Sequence, residues 1–220
     1  MKYFHELQEG VYDPNIFEAI FLAGGPGSGK SYVTRRTTGG MGLKIVNSDD
    51  MFEKMMKKAA LSLKMPPEEE ERKDVVRGRA KELTTARHDN FIEGRLGLVI
   101  DSTARDSAKI LQHKAQLEEL GYDTYMVFVN TSLDVALERN QKRDRTVASP
   151  IVVKSWKEVQ SNIGLFSNSF RSGFIVVDNN HASDDVLKGV WKRVKGLLRN
   201  KVTNTRAKNW MAMELQKKKR

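Results

Sequence analysis

At 220 residues the chain is long enough for one α/β domain with its own core and too short for two ordinary ones. It contains no cysteine, which excludes disulfide frameworks, thiolate metal sites and cysteine nucleophiles, and no apolar run approaches the ~20 residues that span a bilayer. The net charge of +10 is concentrated at one end: Ser183 to Arg220 holds twelve Lys/Arg against three Asp/Glu, so everything before it is close to neutral. The opening MKYFHELQEG is polar and mixed, with no apolar core of a secretory signal, and a soluble cytoplasmic protein is expected.

Residues 1–16 show no clear period and are expected as a short lead-in. Ala19 to Ala23 is a short apolar run, expected as a buried parallel strand. It breaks into Gly24-Gly25-Pro26-Gly27-Ser28-Gly29-Lys30-Ser31, which fits G-x-x-x-x-G-K-[ST] at every fixed position, and Tyr32 onward reads as a helix. Glycines there let successive backbone N–H groups turn inward as an anion nest, with a helix N-terminus aimed at it. Lys30 is placed to reach the β/γ-phosphates and the Ser31 hydroxyl to ligate Mg²⁺. The expected nucleotide contacts are Gly25, Gly27, Ser28, Gly29, Lys30, Ser31 and Tyr32. The bland alternative is an ordinary glycine-rich turn; the strand before and helix after favour binding of a nucleoside triphosphate with Mg²⁺.

Gly39-Gly40 ends the first helix, and Leu43 to Asn47 reads as a second strand. Ser48-Asp49-Asp50 supplies a cap and an acidic first turn for a helix over 51–64. Met65-Pro66-Pro67 interrupts, and a further helix from Glu68 to about Glu93 is expected to bury Val75, Val76, Leu83, Ala86 and Ile92. Leu96 to Ile100 is a third strand ending on Asp101. A helix carrying Ile110, Leu111, Leu117 and Leu120 then leads to a fourth strand, Tyr125 to Val129. Thr131-Ser132 caps a helix expected to reach Arg143, followed by a loop, a helix over 151–162, a fifth strand at Phe174 to Val177 and a last core helix from Ser183 to Arg199. Strands alternating with helices specify an α/β fold of the P-loop NTPase kind. It is a five-stranded parallel doubly wound sheet with helices on both faces and a basic C-terminal tail. The expected organisation is one domain over 1–200, with a helical insertion at 51–93 and a basic segment at 139–150, and a tail at 201–220.

In such sheets ligands bind beyond the carboxyl ends of the strands. Asp101, at the end of strand three, suits the acidic partner that holds Mg²⁺ with Ser31; Asp-Ser-Thr is also good turn chemistry. Asp49 suits a general base that orients the acceptor hydroxyl and takes its proton, or else simply caps its helix. Arg139, Lys142 and Arg143 stand at i, i+3 and i+4, on one expected helix face leading to Arg145. They would either neutralise the transferred phosphoryl group or complement the helix dipole. The histidines, His5, His88, His113 and His181, have no ligand spacing. The basic tail is read as a solvated end or as an electrostatic docking element, with Trp210 either in the core or on a base-stacking face.

Four stretches in order, GGPGSGKS, VNSDD, VIDSTARD and LERNQKRDRTVASPIVV, resemble the kinase domain of bacteriophage polynucleotide 5′-hydroxyl kinase. They also resemble a wider group with zeta toxins, chloramphenicol phosphotransferase and phage kinases of hydroxymethylated DNA bases. The resemblance runs from about Ala19 to Asn162 and implies ATP as donor, Asp49 as general base, and Arg139 and Arg143 as the lid over the phosphates. It also implies an acceptor held between the phosphate loop and the helices after strand two. The arginine found three residues after the base in the polynucleotide kinase is Phe52 here, and VIDSTARD is closer to the zeta pattern.

Together these readings imply ATP-dependent transfer of a phosphoryl group to a hydroxyl on nucleic acid, a 5′ end or a hydroxymethylated base. A small-molecule acceptor of the zeta-toxin type is the alternative, and an ATP-driven switch without acceptor is a third reading. A guanine-specific N-K-x-D element is absent from the sequence.

Overall fold

The computed structural model describes residues 10–64, 66–143 and 146–218. One wholly parallel sheet contains β1 (Glu18–Ala23), β2 (Lys44–Val46), β3 (Leu98–Asp101), β4 (Asp123–Asn130) and β5 (Phe174–Asp178), in the order β2-β3-β1-β4-β5. The helices are α1 (Lys30–Thr38), α2 (Ser48–Lys58), α3 (Glu70–Glu93), α4 (Ser107–Glu119), α5 (Leu133–Gln141), α6 (Ser149–Ser161), α7 (Ile163–Phe170), α8 (Asp184–Leu197) and α9 (Thr205–Lys217). No helix among the described residues is long and apolar enough to cross a membrane.

Strand β1 is central and fully buried, so it is apolar on both faces instead of alternating with polar residues. Ala19, Phe21 and Ala23 enter one core with Met126, Phe128, Leu117 and Phe166, whereas Ile20 and Leu22 enter another with Val33, Val127, Leu187 and Val190. The second core is roofed by α1 and α8, and the first by α4, α6, α7 and α9. Because every pairing is parallel, the carboxyl ends of all five strands share one edge, which receives the phosphate loop, Asp101 and the connections leaving β4 and β5.

Several local expectations are corrected. Helix α5 stops at Gln141, not Arg143, with Lys142 as its C-cap. Helix α2 begins at Ser48 and ends at Lys58, where Ala60 takes a positive φ of 51° and breaks it. In α3, Val75 is 70% exposed and Ala86 is also exposed, while Ala80 is the buried residue. The reason is that α3 packs mainly on α2, in a separate small cluster of Phe52, Met56, Leu61 and Ala80, and reaches the sheet's core only at its end through Phe91 and Ile92. Helix α7 was not anticipated at all; Phe166 and Phe170 are its buried anchors.

The stretch expected as a basic tail contains α9, capped by the Asn204 side chain, which accepts from the Arg206 N–H. Its Ala207 is fully buried against Gly121, whose φ of +103° and lack of a side chain allow the approach. Trp210 packs edge-on against Phe17, with ring centroids 5.4 Å apart. The Arg206 guanidinium donates to the Glu119 carbonyl at 2.6 Å. Residues 1–9, Met65, Asp144, Arg145, Lys219 and Arg220 lie outside the described residues, so the expected lead-in and the Arg145 lid position fall there in whole or part.

At the opposite, amino-terminal edge of the sheet, Glu18 is 2% exposed and pairs in register with Asp123. Burial, then the neighbouring Asp123 charge, pushes its carboxyl up to about 8, against a hydrogen bond from Tyr125. The folded protein therefore holds a proton that the unfolded chain releases near 4.5. Between those values the native state binds more protons, so stability falls as pH rises from about 5 to about 8. Glu18→Gln is expected to flatten that decline and to be more stable than the parent at pH 8 by a few kcal/mol, at ~1.4 kcal/mol per pH unit. Urea unfolding at pH 5, 6.5 and 8 measures it; parallel curves for the two proteins would refute the account.

Candidate active site

The phosphate loop bridges β1 and α1. Gly24 has a φ of +152°, and a side chain there would meet Ser28 Oγ at 2.7 Å and the Val129 carbonyl at 2.9 Å. Gly27 has a φ of +79°, and a Cβ on it would run into the Ala136 carbonyl of α5. Both positions need glycine for conformation and for space. Gly29 precedes α1 in the left-handed region, and no side chain caps the helix or places acid in its first turn. The first N–H groups of α1 thus face the loop without a built-in anion, an arrangement suited to phosphate.

Lys30 folds back over the loop, its Nζ donating to the Gly24 carbonyl at 2.6 Å and to that of Gly25 at 3.4 Å. Burial lowers its pKa, and the Arg143 charge lowers it further; the carboxylates of Asp101 and Asp49 oppose both. Asp101 closes β3 beside Leu22 of β1. Burial raises its carboxyl, and Lys30 is the main opposing charge. Four groups nominated separately in the sequence, Lys30, Asp49, Asp101 and Arg143, therefore share one electrostatic neighbourhood. They line a cleft of about 630 Å³ together with Ser31 and Lys142.

Asn47 organises this cleft, and sequence reasoning did not single it out. Its carbonyl oxygen accepts from the N–H groups of Asp49 and Asp50, fixing the start of α2. Its amide nitrogen donates to Asp101 Oδ2 at 2.7 Å, fixing that carboxyl. One side chain thereby sets the distance between the two acidic positions. Since Asn47 already caps α2, the exposed Asp49 carboxyl is not needed as the cap.

Arg139 and Arg143 are not neighbours on one face. With α5 ending at Gln141, Arg143 turns to the cleft, whereas Arg139 donates to the carbonyls of Asn179 (2.7 Å) and Asn180 (3.0 Å) beyond β5. Arg139 lies instead beside a second cavity of about 390 Å³, with Gly29, Tyr32, Asn180 and His181. Between the two arginines, the buried Asn140 side chain bonds both backbone groups of Val147, donating at 2.7 Å and accepting at 3.0 Å. That clasp ties Val147 back to α5.

The loop is also braced from behind. Buried Asn179 donates to the Ser28 carbonyl at 2.7 Å, and Trp156 of α6 donates its indole N–H to the Thr131 carbonyl at 2.8 Å while its backbone covers Gly25. Phe52, which stands where the resembling kinase has an arginine, is buried in the α2–α3 cluster with the Arg77 guanidinium 4.5 Å from its ring centre. No set of three or more acidic or histidine side chains able to hold a metal alone exists among the described residues. A magnesium ion bound mainly by a nucleotide does not require one. Ser31 and Asp101 fit that lighter role: both line the cleft, and only Oδ2 of Asp101 is taken by Asn47.

A parallel five-stranded sheet with a G-x-x-x-x-G-K-S loop at its carboxyl edge and an acidic residue on the adjacent strand defines a P-loop protein with a kinase-like fold. The chain belongs to the family described as AAA domain, whose profile matches residues 20–165, well over half of it. No curated protein matches the sequence. Among solved structures, a gluconokinase from Sinorhizobium meliloti 1021 superposes with a TM-score of 0.51 at 15% identity, over 84% of this chain and 95% of that one. The AvrRxo1-ORF1:-ORF2 structure with ATP gives 0.58 at 13% identity, over 89% and 70%. The Pnkp1/Rnl/Hen1 RNA repair complex gives 0.51 at 18% identity, over 74% of this chain and 49% of that one. At these identities the likeness is one of fold.

Proposed function

We propose that the protein is an ATP-dependent phosphotransferase that moves the γ-phosphoryl group to an acceptor hydroxyl. The convergence of Lys30, Asp49, Asp101 and Arg143 around a single cleft carries this reading. The triphosphate lies along the loop, with its phosphates against the N–H groups entering α1 and the base toward the cavity beside Tyr32, Arg139 and His181. Lys30 exchanges its carbonyl partners for phosphate oxygens. Bound Mg²⁺, held by Ser31 and Asp101, would neutralise charge on the β- and γ-phosphates. The acceptor oxygen bonds to the γ-phosphorus as the bond to the β–γ bridging oxygen breaks. The acceptor proton passes to the Asp49 carboxylate, and ADP departs. Arg143, at the mouth of the cleft, faces the charge that spreads over the transferred group.

The acceptor is assigned to nucleic acid, a 5′-hydroxyl end or a hydroxymethylated base, on the strength of the motif resemblance and the basic surface. A small-molecule acceptor is the second reading, favoured by one observation: buried Phe52 removes the cation that would meet an acceptor phosphate. γ-Labelled ATP incubated with 5′-hydroxyl DNA and RNA, hydroxymethyl-base DNA, nucleosides and nucleotide sugars tests both. Label on a polynucleotide is the expected result, and label only on a small molecule selects the second reading. ATP hydrolysis with no labelled acceptor would sink the phosphotransferase assignment and favour a nucleotide-driven switch.

A further inference from the structure

Trp210 of α9 packs edge-on against Phe17 and lines a hollow with Arg95 and Glu214. A second set of cations lies on α8. On α8, Leu187, Val190, Val194 and Leu198 are buried on the α1 side of the sheet. Lys188, Trp191, Lys192 and Lys195, with Arg199 just past the helix end, follow one another at helical spacing and form a second stripe beside the buried one. The stripe is roughly 16 Å long.

Its carboxylates are confined to the amino end, where Asp184 pairs with Arg36 and Asp185 with Lys188 at 3.3 Å, all exposed. Lys192 and Arg199 are exposed and have no acidic partner among the described residues. Trp191 stands in the middle, half-buried, with Lys195 Nζ 4.3 Å from its ring centre. Its surroundings open into a hollow of about 310 Å³ between α1 and α8, shared with Arg35, Arg36 and Lys188. The cations of α1 and α8 therefore share one hollow, and the stripe runs from it to the end of α8.

We propose that this stripe, Arg35 with Lys188, Trp191, Lys192, Lys195 and Arg199, is a docking surface for single-stranded nucleic acid, the cations taking phosphates and Trp191 stacking on a base. Cations with an interleaved aromatic are what such strands need, since phosphate contacts supply affinity and every base offers a stacking face. A bilayer would need a broad apolar face beside the charge, and the large apolar side chain exposed on α8, Val186, lies away from the stripe. The proposal extends the nucleic-acid form of the function above, and its test reads binding without ATP, so the two fail separately.

A fluorescein-labelled 12-mer of oligo(dT) is titrated with the full chain from 50 to 200 mM salt. Lys192→Gln/Lys195→Gln is expected to weaken binding about ten-fold and to flatten the slope of log K against log salt by about 1.4, two phosphates at ~0.7 each. Trp191→Ala is expected to weaken binding about ten-fold with little change of slope, and Trp191→Phe to restore most of the loss. Lys208→Gln/Lys217→Gln on α9 is expected to bind like the parent. Transfer from labelled ATP to a dinucleotide acceptor should be unchanged in all of them. Superimposable curves for the α8 variants overturn the proposal, as does loss of binding in the α9 pair alone. Binding of the parent to phosphatidylserine vesicles but not to the oligonucleotide overturns it in favour of a membrane.

Discussion

Asp49→Asn is expected to leave nucleotide binding close to that of the parent and to cut phosphoryl transfer by ~10²–10⁴-fold, the usual worth of a positioned general base. The substitution keeps the size of the side chain and removes its negative charge and its ability to accept a proton. It should not disturb α2, because Asn47 already supplies the cap through bonds to the Asp49 and Asp50 N–H groups. Asp50→Asn is the internal control. Asp50 also lines the cleft, but partial burial raises its carboxyl, and Lys54 is the main charge opposing that. It is expected to cost less than ten-fold. Single-turnover transfer with labelled ATP separates the chemical step from product release. Greater sensitivity at Asp50 would move the base by one residue and overturn the assignment of Asp49.

The parts of the site that were legible in the sequence are those written within a few consecutive residues. The loop from Gly24 to Ser31 carries its own signature, and an apolar run ending on an acid, such as the one closing on Asp101, shows both its strand and its edge. Each of the five strands was expected within about two residues of its observed ends. What was hidden is what crosses long stretches of chain. Asn47 meets Asp101 across 54 residues, and Asn179 meets Ser28 across 151, and no period or spacing announces either bond. Arg139 and Arg143 looked adjacent because an i, i+4 pair is adjacent only while the helix lasts, and α5 stops between them. The α3 stripe misled for a related reason: a helix that packs mainly on one neighbouring helix and meets the core only at its end need not bury every apolar residue. For α9 the basic composition left a solvated end and a docking element both open, and Ala207 and Trp210 tie the helix to the core. Removing 202–220 would therefore expose apolar surface as well as remove charge, so charge-neutral substitutions are the cleaner probe of its cations.

Lys30→Ala is expected to keep the fold and to lower transfer by ~10²–10³-fold or more, the cost of losing a strong electrostatic contact at the transferring group. The Lys30 ammonium is held by the Gly24 and Gly25 carbonyls, with the Asp101 charge favouring its protonated form. Its burial disfavours the charged form, so removing it relieves a desolvation cost at the same time as it deletes two hydrogen bonds. The net effect on stability is accordingly small, while Asp101 loses its main opposing charge and its carboxyl moves further up. A carboxyl that holds its proton is a poorer magnesium ligand, so the variant should also need more Mg²⁺ to reach half its residual rate. Lys30→Arg is not a conservative rescue: a planar, branched guanidinium cannot thread between two loop carbonyls that a single ammonium satisfies at 2.6 and 3.4 Å. Melting curves, labelled transfer and the same transfer titrated with Mg²⁺, run on both variants, check the three expectations separately. Labelling of an acceptor by Lys30→Ala at a rate near that of the parent would remove the phosphate loop from the chemistry, whatever the fold.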